Sequence, residues 1–256
     1  MLSENSEVFT KENLNRYLNE LSKEYKKLGG RNVPVEIILI GGAAVIENYG
    51  FREMTTDIDA ILPAMGIMKD AINHVGDRFH LPDGWLNADF TMTGSYSPQI
   101  TAYSVPYRTF NQVLHVRVVT GAYLIAMKLR AGRKYKNDLS DIVGILSEQE
   151  ASGNPITYEQ IDTAVQNLYG GWEKFATDSV SFIRDILDSG NYNTIYDAIR
   201  SGEVEAKKAL LTFQEKYPNV LSDENVDRVL ERTTQSKQSV LEQLQKRKRQ
   251  DERGER

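Results

Sequence analysis

An Asp-x-Asp pair, Thr55-Thr56-Asp57-Ile58-Asp59-Ala60-Ile61-Leu62, follows the glycine turn Ile37-Ile38-Leu39-Ile40-Gly41-Gly42-Ala43-Ala44-Val45-Ile46. The apolar run 35–40 suits a buried strand, 43–48 a short helix, and 56–62 a second strand. Side chains alternate between the faces of a strand, so Asp57 and Asp59 are expected on one face. Two carboxylates held that close repel each other in a dry interior, and a cation or water between them relieves the repulsion. A strand that turns through glycine into a helix offers backbone N–H groups and the positive end of a helix dipole, which suits a phosphate. Glycine also permits the tight turn and close approach of a ligand. The stretch Gly41–Ile46 lacks the Gly-x-Gly-x-x-Gly spacing of a dinucleotide site, and no Gly-Lys-Ser/Thr follows as in a P-loop.

Carboxylates at i and i+2 of one strand can hold divalent cations. Magnesium takes few protein carboxylates and fills its shell with water and substrate phosphate oxygens. Other metal chemistries are poorly served. There is no cysteine, which excludes disulfides, thiolate zinc sites and a cysteine nucleophile, and suits a reducing cytosol. Three histidines, at 74, 80 and 115, are scattered. A net charge of −5 gives no global argument for nucleic-acid binding. No apolar run approaches the roughly 20 residues that span a bilayer. The start, Met1 to Glu7, lacks the basic-then-apolar pattern of a secretory signal, so a cytoplasmic protein is expected.

The 256 residues allow one large domain or two small ones. Leu14, Tyr17, Leu18, Leu21, Tyr25 and Leu28 recur at helical spacing over 10–28, and Gly29-Gly30 stops that helix. Met68, Ala71, Ile72, Val75 and Phe79 mark another helix. Residues 99–105 and 113–119 read as strands around a turn at 106–111. Beyond Thr120 the pattern is helical: 121–132, 138–149, 157–169, 172–188, 193–200, 203–216 and 223–247. Thr157 with Gln160 forms a capping-box signature, and Gly170-Gly171 and Ser189-Gly190 are stops. The expected boundaries are therefore an α/β domain over 1–120 and a helical domain over 121–256, with 121–146 completing the cleft. The basic tail 246–253 reads as a solvated helix end, a nucleic-acid contact being the alternative.

The strand, Gly-Gly turn and Asp-x-Asp together resemble the nucleotidyltransferase superfamily of the DNA polymerase β type. The stretch from Ile40 to Asp59 is similar to a bacterial branch that includes abortive-infection toxin transferases. So is Tyr123-Leu124-Ile125-Ala126-Met127-Lys128-Leu129-Arg130-Ala131-Gly132-Arg133 with Asn137-Asp138-Leu139-Ser140-Asp141-Ile142. Within the branch, poorly characterised members share a Trp-Leu-Asn segment, here Trp85-Leu86-Asn87. The resemblance covers about 35–146. It implies an α/β (α+β) fold, a mixed sheet flanked by helices and followed by a C-terminal helical domain. It implies phosphate contact at Gly41, Gly42 and the neighbouring Thr56, Mg2+ or Mn2+ on Asp57 and Asp59, and NTP as substrate. Lys128, with Asp138 or Asp141, is implied to line the cleft. A toxin–antitoxin setting, with an antitoxin partner or a homodimer, is a family-level expectation.

Beside the resemblance, Lys128 interrupts the largely apolar run 122–129, where a lysine either meets an anion such as a triphosphate or snorkels along the surface. Asp138 and Asp141, three apart, share a helix face, and the helix dipole favours an acid at Asp138 in the first turn. Two features depart from the family pattern. Many relatives carry serine where this chain has Gly42. The third carboxylate usual on a later strand is replaced by His115 and Arg117, leaving Arg117 for phosphate or an aspartate, and Asp89 as a loop-borne substitute. The expected activity is transfer of an NMP from NTP to a hydroxyl on protein, RNA or a small molecule. A degenerate fold used for nucleotide sensing or protein interaction is the alternative, and a helical adaptor on an inert α/β scaffold the third.

Overall fold

The computed structural model describes residues 8–63, 66–222 and 225–232. The tail 246–253, most of the helix expected over 223–247 and the segment before residue 8 lie outside the described residues. In chain order the elements are β1 (Phe9–Thr10), α1 (Lys11–Lys27), β2 (Val35–Leu39), α2 (Gly41–Asn48), β3 (Met54–Thr55), β4 (Ile58–Ile61) and α3 (Gly66–Phe79). Then come β5 (Leu86–Asn87), α4 (Ile100–Tyr103), β6 (Val105–Phe110) and β7 (Leu114–Val118). The helices α5 (Gly121–Ala131), α6 (Asp138–Ala151), α7 (Tyr158–Tyr169), α8 (Thr177–Ser189) and α9 (Tyr192–Lys216) follow, with a further helical segment at 226–232.

Five strands form one mixed sheet in the order β5-β4-β2-β7-β6. β2 runs antiparallel to β4 and parallel to β7, with Leu39 opposite both Ala60 and Val118. β1 and β3 make a separate two-stranded pair, Phe9 opposite Thr55. The sheet is covered on both faces, which is why β2 reads as an almost unbroken apolar run. One face, with Ile37, Leu39, Ile58, Ala60, Leu114, Val116 and Val118, packs on α1 and α3. The other, with Ile38, Ile40 and Val119, packs on Ala44 and Val45 of α2 and on the apolar faces of α5, α6, α7 and α8. One core thus joins the sheet to helices from beyond residue 121.

The strand expected over 99–105 is displaced. Residues 100–103 form a helical turn behind Ser97, and the strand begins at Val105. The expected turn at 106–111 is therefore strand. Pro106 is tolerated because β6 is an edge strand with a register shift between Pro106 and Arg108. The real reversal is at Asn111-Gln112, both in the left-handed region (φ 47 and 62), closed by Val113 N–H to Phe110 O at 3.1 Å. That is a two-residue hairpin whose twist matches its strands. The helices expected at 193–200 and 203–216 are one helix, α9. Gly202 costs it about 1 kcal/mol relative to alanine. The next residue, Glu203, offsets this by accepting from the N–H of Leu139 and of Ser140, each at 3.1 Å, at the start of α6. The helix expected from 172 starts at Thr177, after Trp172 has stacked on Tyr158 and bonded Asp162. The Thr157–Gln160 capping box and the glycine stops at 170 and 190 are formed.

Candidate active site

Four local devices bring the glycine turn and the aspartates together. Ile40 at the end of β2 bonds through its N–H to Asp59 O at 3.1 Å, so the turn leaves the sheet beside Asp59. Gly41 starts α2 at φ +55, a backbone conformation that glycine adopts without strain. A Cβ there would lie 3.3 Å from Asp59 Oδ2, so the carboxylate presses directly on the turn. The first helical bond of α2 is Ala44 N–H to Ile40 O, which leaves the N–H groups of Gly41, Gly42 and Ala43 ahead of the helical ladder.

Asp57 is placed differently. The strand expected from 56 begins at Ile58, because Thr55 pairs with β1 and the chain bends at Thr56. Asp57 is therefore exposed and just outside the pleat, while Asp59 is half-buried within it. Thr55 Oγ1 lies 3.2 Å from Asp57 Oδ1. The same hydroxyl, with Arg52, fills the side-chain space of residue 42: a Cβ at Gly42 would meet Thr55 Oγ1 at 2.3 Å and Arg52 Nη2 at 2.9 Å. The departure at Gly42 thus has a physical reason. A serine side chain has no room, and the hydroxyl at that place comes from Thr55. Thr56, expected to touch phosphate, is exposed on the bend between them.

The charges around Asp59 are mixed. Its carboxyl is pushed up to about 6, first by burial and then by Asp57, with Asp89 adding to the push and Lys136 and Arg133 opposing it. A cation between two carboxylates that repel in this way would relieve the repulsion. Asp89 is exposed on a 3-10 turn, its N–H bonded to Asn87 Oδ1 at 2.9 Å. Asn87, of the Trp-Leu-Asn segment, sits opposite Asp59 on the edge strand β5. Trp85 anchors that edge by donating to Ile72 O at 3.0 Å. Among the described residues no group of three or more histidines and acids is arranged to hold a metal. Two carboxylates are nonetheless a donor set that suits magnesium or manganese completed by phosphate and water.

Lys128 does not stand free at the turn. It is buried, its Nζ 2.6 Å from Asp141 Oδ2 and 3.5 Å from Asp138 Oδ1. The anion it meets is a pair of aspartates. Asp138 is also forked by Arg133 at 2.8 and 3.3 Å. Burial alone would raise the Asp138 carboxyl, but Lys128 and Arg133 outweigh it and hold it below the usual range. Asp141 takes a second cation, Arg52, at 2.6 Å. Arg117 is engaged by partners other than the Asp57–Asp59 pair. It donates to the Ser104 hydroxyl at 2.7 Å and to Ser104 O, and lies 3.8 Å from Glu36. His115 meets Thr109 at 3.0 Å on the exposed edge.

The segment from the first helix through α6 has a recognisable sequence pattern. Residues 16–148 match a family described as a nucleotidyltransferase of unknown function, DUF6036. The chain belongs to that family. No curated protein and no solved structure matches it. The family's matched region takes in the glycine turn, both aspartates and the Lys128–Asp138–Asp141 cluster, and stops before α7.

The residue reading missed Arg52, Thr55, Arg133 and Lys136. The Arg52-x-x-Thr55-x-Asp57 spacing and the basic run Arg133-Lys134-Tyr135-Lys136 were the available signals. Two cavities, of about 490 and 460 Å3, lie elsewhere, one between α6, α9 and 226–232 and one at the start of α5. Neither is lined by the glycine turn or the Asp pair. Among the described residues no helix is long and apolar enough to cross a membrane.

Proposed function

We propose that this member of the family is a divalent-cation-dependent nucleotidyltransferase, moving an NMP from NTP to a hydroxyl and releasing pyrophosphate. The observation that carries the reading is the Asp59 carboxylate 3.3 Å from the Cβ position of Gly41, which puts an acid and an N–H-bearing turn in one place. Asp57 and Asp59 would hold Mg2+ or Mn2+, and the N–H groups at the start of α2 would take phosphate oxygens. The cation supplies charge neutralisation on the phosphates and acidity to the attacking hydroxyl. The acceptor oxygen bonds to the α-phosphorus as the bond to pyrophosphate breaks. Its proton passes to a carboxylate of the pair or to water. Arg133 and Lys136, whose charge is felt at Asp59, would add positive charge for a polyphosphate. Lys128 acts from behind, fixing Asp141.

The acceptor class is protein, RNA or a small molecule, and the family-level expectation adds a toxin–antitoxin setting. Incubating the protein and Asp59→Asn with Mg2+ and each α-labelled NTP in cell extract tests the activity. The reading expects label on one macromolecular or small-molecule acceptor, lost at least a hundredfold in Asp59→Asn. Equal labelling by the variant refutes it. Among the described residues no third acid is arranged with the pair to hold a metal, which favours a second reading, a nucleotide-binding fold without transfer. That reading expects NTP binding with no label transferred.

A further inference from the structure

Asp57 is the less constrained of the two acids. It lies outside the strand, is exposed, and has no turn pressed against it. A cation ligand in that position needs something else to fix its carboxylate. Its partner is the Thr55 hydroxyl, at 3.2 Å. Thr55 is itself buried and approached by Arg52 Nη2 at 3.3 Å. Guanidinium only donates, and a hydroxyl has one proton. The bonding direction is therefore set: Arg52 donates to Thr55, and Thr55 donates to Asp57 Oδ1, leaving the other carboxylate oxygen for a cation.

Arg52 is fixed in turn by two more bonds. Its Nε donates to Met54 O at 2.9 Å and its Nη1 to Asp141 Oδ2 at 2.6 Å. Asp141, with side chain 2% exposed, also takes Lys128. A continuous run of contacts therefore leads from the buried pair between α5 and α6, through Arg52 and Thr55, to Asp57. In that buried cluster Arg52 and Lys128 meet Asp141, and Lys128 and Arg133 meet Asp138.

We propose that Arg52 and Thr55 are positioning residues that orient the Asp57 carboxylate for a divalent cation, anchored on the buried Lys128–Asp141 pair. This rests on the reading of Asp57 and Asp59 as cation ligands. The test is calorimetric titration of Mn2+ into the full chain, the Thr55→Val and Thr55→Ser variants, and Asp57→Asn. Thr55→Val keeps the shape and removes the hydroxyl; losing it should weaken Mn2+ binding 10- to 100-fold. Thr55→Ser restores the donor and should bind within about threefold of the parent chain. A role confined to stability would lower the melting temperature without changing affinity in the folded protein, so circular dichroism melts accompany each titration. Thr55→Val binding Mn2+ as tightly as the parent overturns the positioning role and leaves the cation site standing. A parent chain that binds Mn2+ no better than Asp57→Asn overturns both.

Discussion

Gly42 has its side-chain volume occupied by its neighbours, and this is the sharpest constraint at the scale of one residue. With a Cβ position only 2.3 Å from Thr55 Oγ1, Gly42→Ser must displace Thr55, which is buried and tied to Arg52. Overpacking of that kind costs about 1–3 kcal/mol. Thermal melts of Gly42→Ser should show that loss, and nucleotide binding should fall with it; an unchanged melt would mean Thr55 has a second position. The central candidate residues were readable because they are near in sequence. Gly41, Gly42, Asp57 and Asp59 lie within one strand-turn-helix-strand unit. Arg52 was not, because its decisive partner, Asp141, is 89 positions away. For Lys128 both an anion partner and a snorkelling surface position were open, and the sequence could not say that an anion of the chain's own would meet it.

At the scale of elements, α5 and α6 are joined by buried charge. Replacing Lys128 by methionine keeps the length of the side chain and leaves Asp141 and Asp138 short of a cation. Removing one partner of a buried pair costs about 3–5 kcal/mol. Urea unfolding of Lys128→Met should report a loss of that order, and a change under 1 kcal/mol would show the aspartates satisfied without it. The join of α6 to α9 carries a pH signature. Burial pushes the Glu203 carboxyl up to about 7 from 4.5, outweighing its bonds to Ser140. The folded state therefore holds this proton more tightly than the unfolded chain. The stability it confers is full below about pH 4.5 and is lost as pH rises through about 7. In Glu203→Gln the fall in melting temperature between pH 5 and 7.5 should be shallower than in the parent chain; an identical slope would contradict the assignment. The same glutamate explains why two helices read from the sequence are one. Ser201-Gly202 looks like a stop, and only the long-range bonds from Glu203 to α6 show that the helix continues through it. The edge strand was misplaced for a similar reason. Pro106 and Asn111 both signal a turn, and only pairing with β7 selects Asn111-Gln112.

The whole molecule is a mixed sheet covered on both faces, with the glycine turn and the two acids at one end of its central strands. That class was legible, since an apolar run, a glycine turn and a following series of amphipathic helices leave few other arrangements. Less legible was the shared packing of the sheet and the helices. Phe51, beside Arg52, sits between Tyr49, Tyr196 and the space that a Cβ on Gly144 would fill, so α2, α6 and α9 meet next to the site. Apolar periodicity shows that a helix has a buried face without showing what covers it. Charge linkage follows the same layout, from buried aspartates on α6 through Arg52 and Thr55 to Asp57. The account as a whole depends on Asp57 and Asp59 collecting a divalent cation beside a phosphate-holding turn. Calorimetric titration of NTP into the full chain and into Asp57→Asn, each with Mg2+ and with EDTA, measures this most directly. The account predicts binding at least tenfold tighter with Mg2+ in the parent chain and no Mg2+ dependence in the variant. Equal affinity with and without Mg2+ in the parent chain would contradict it.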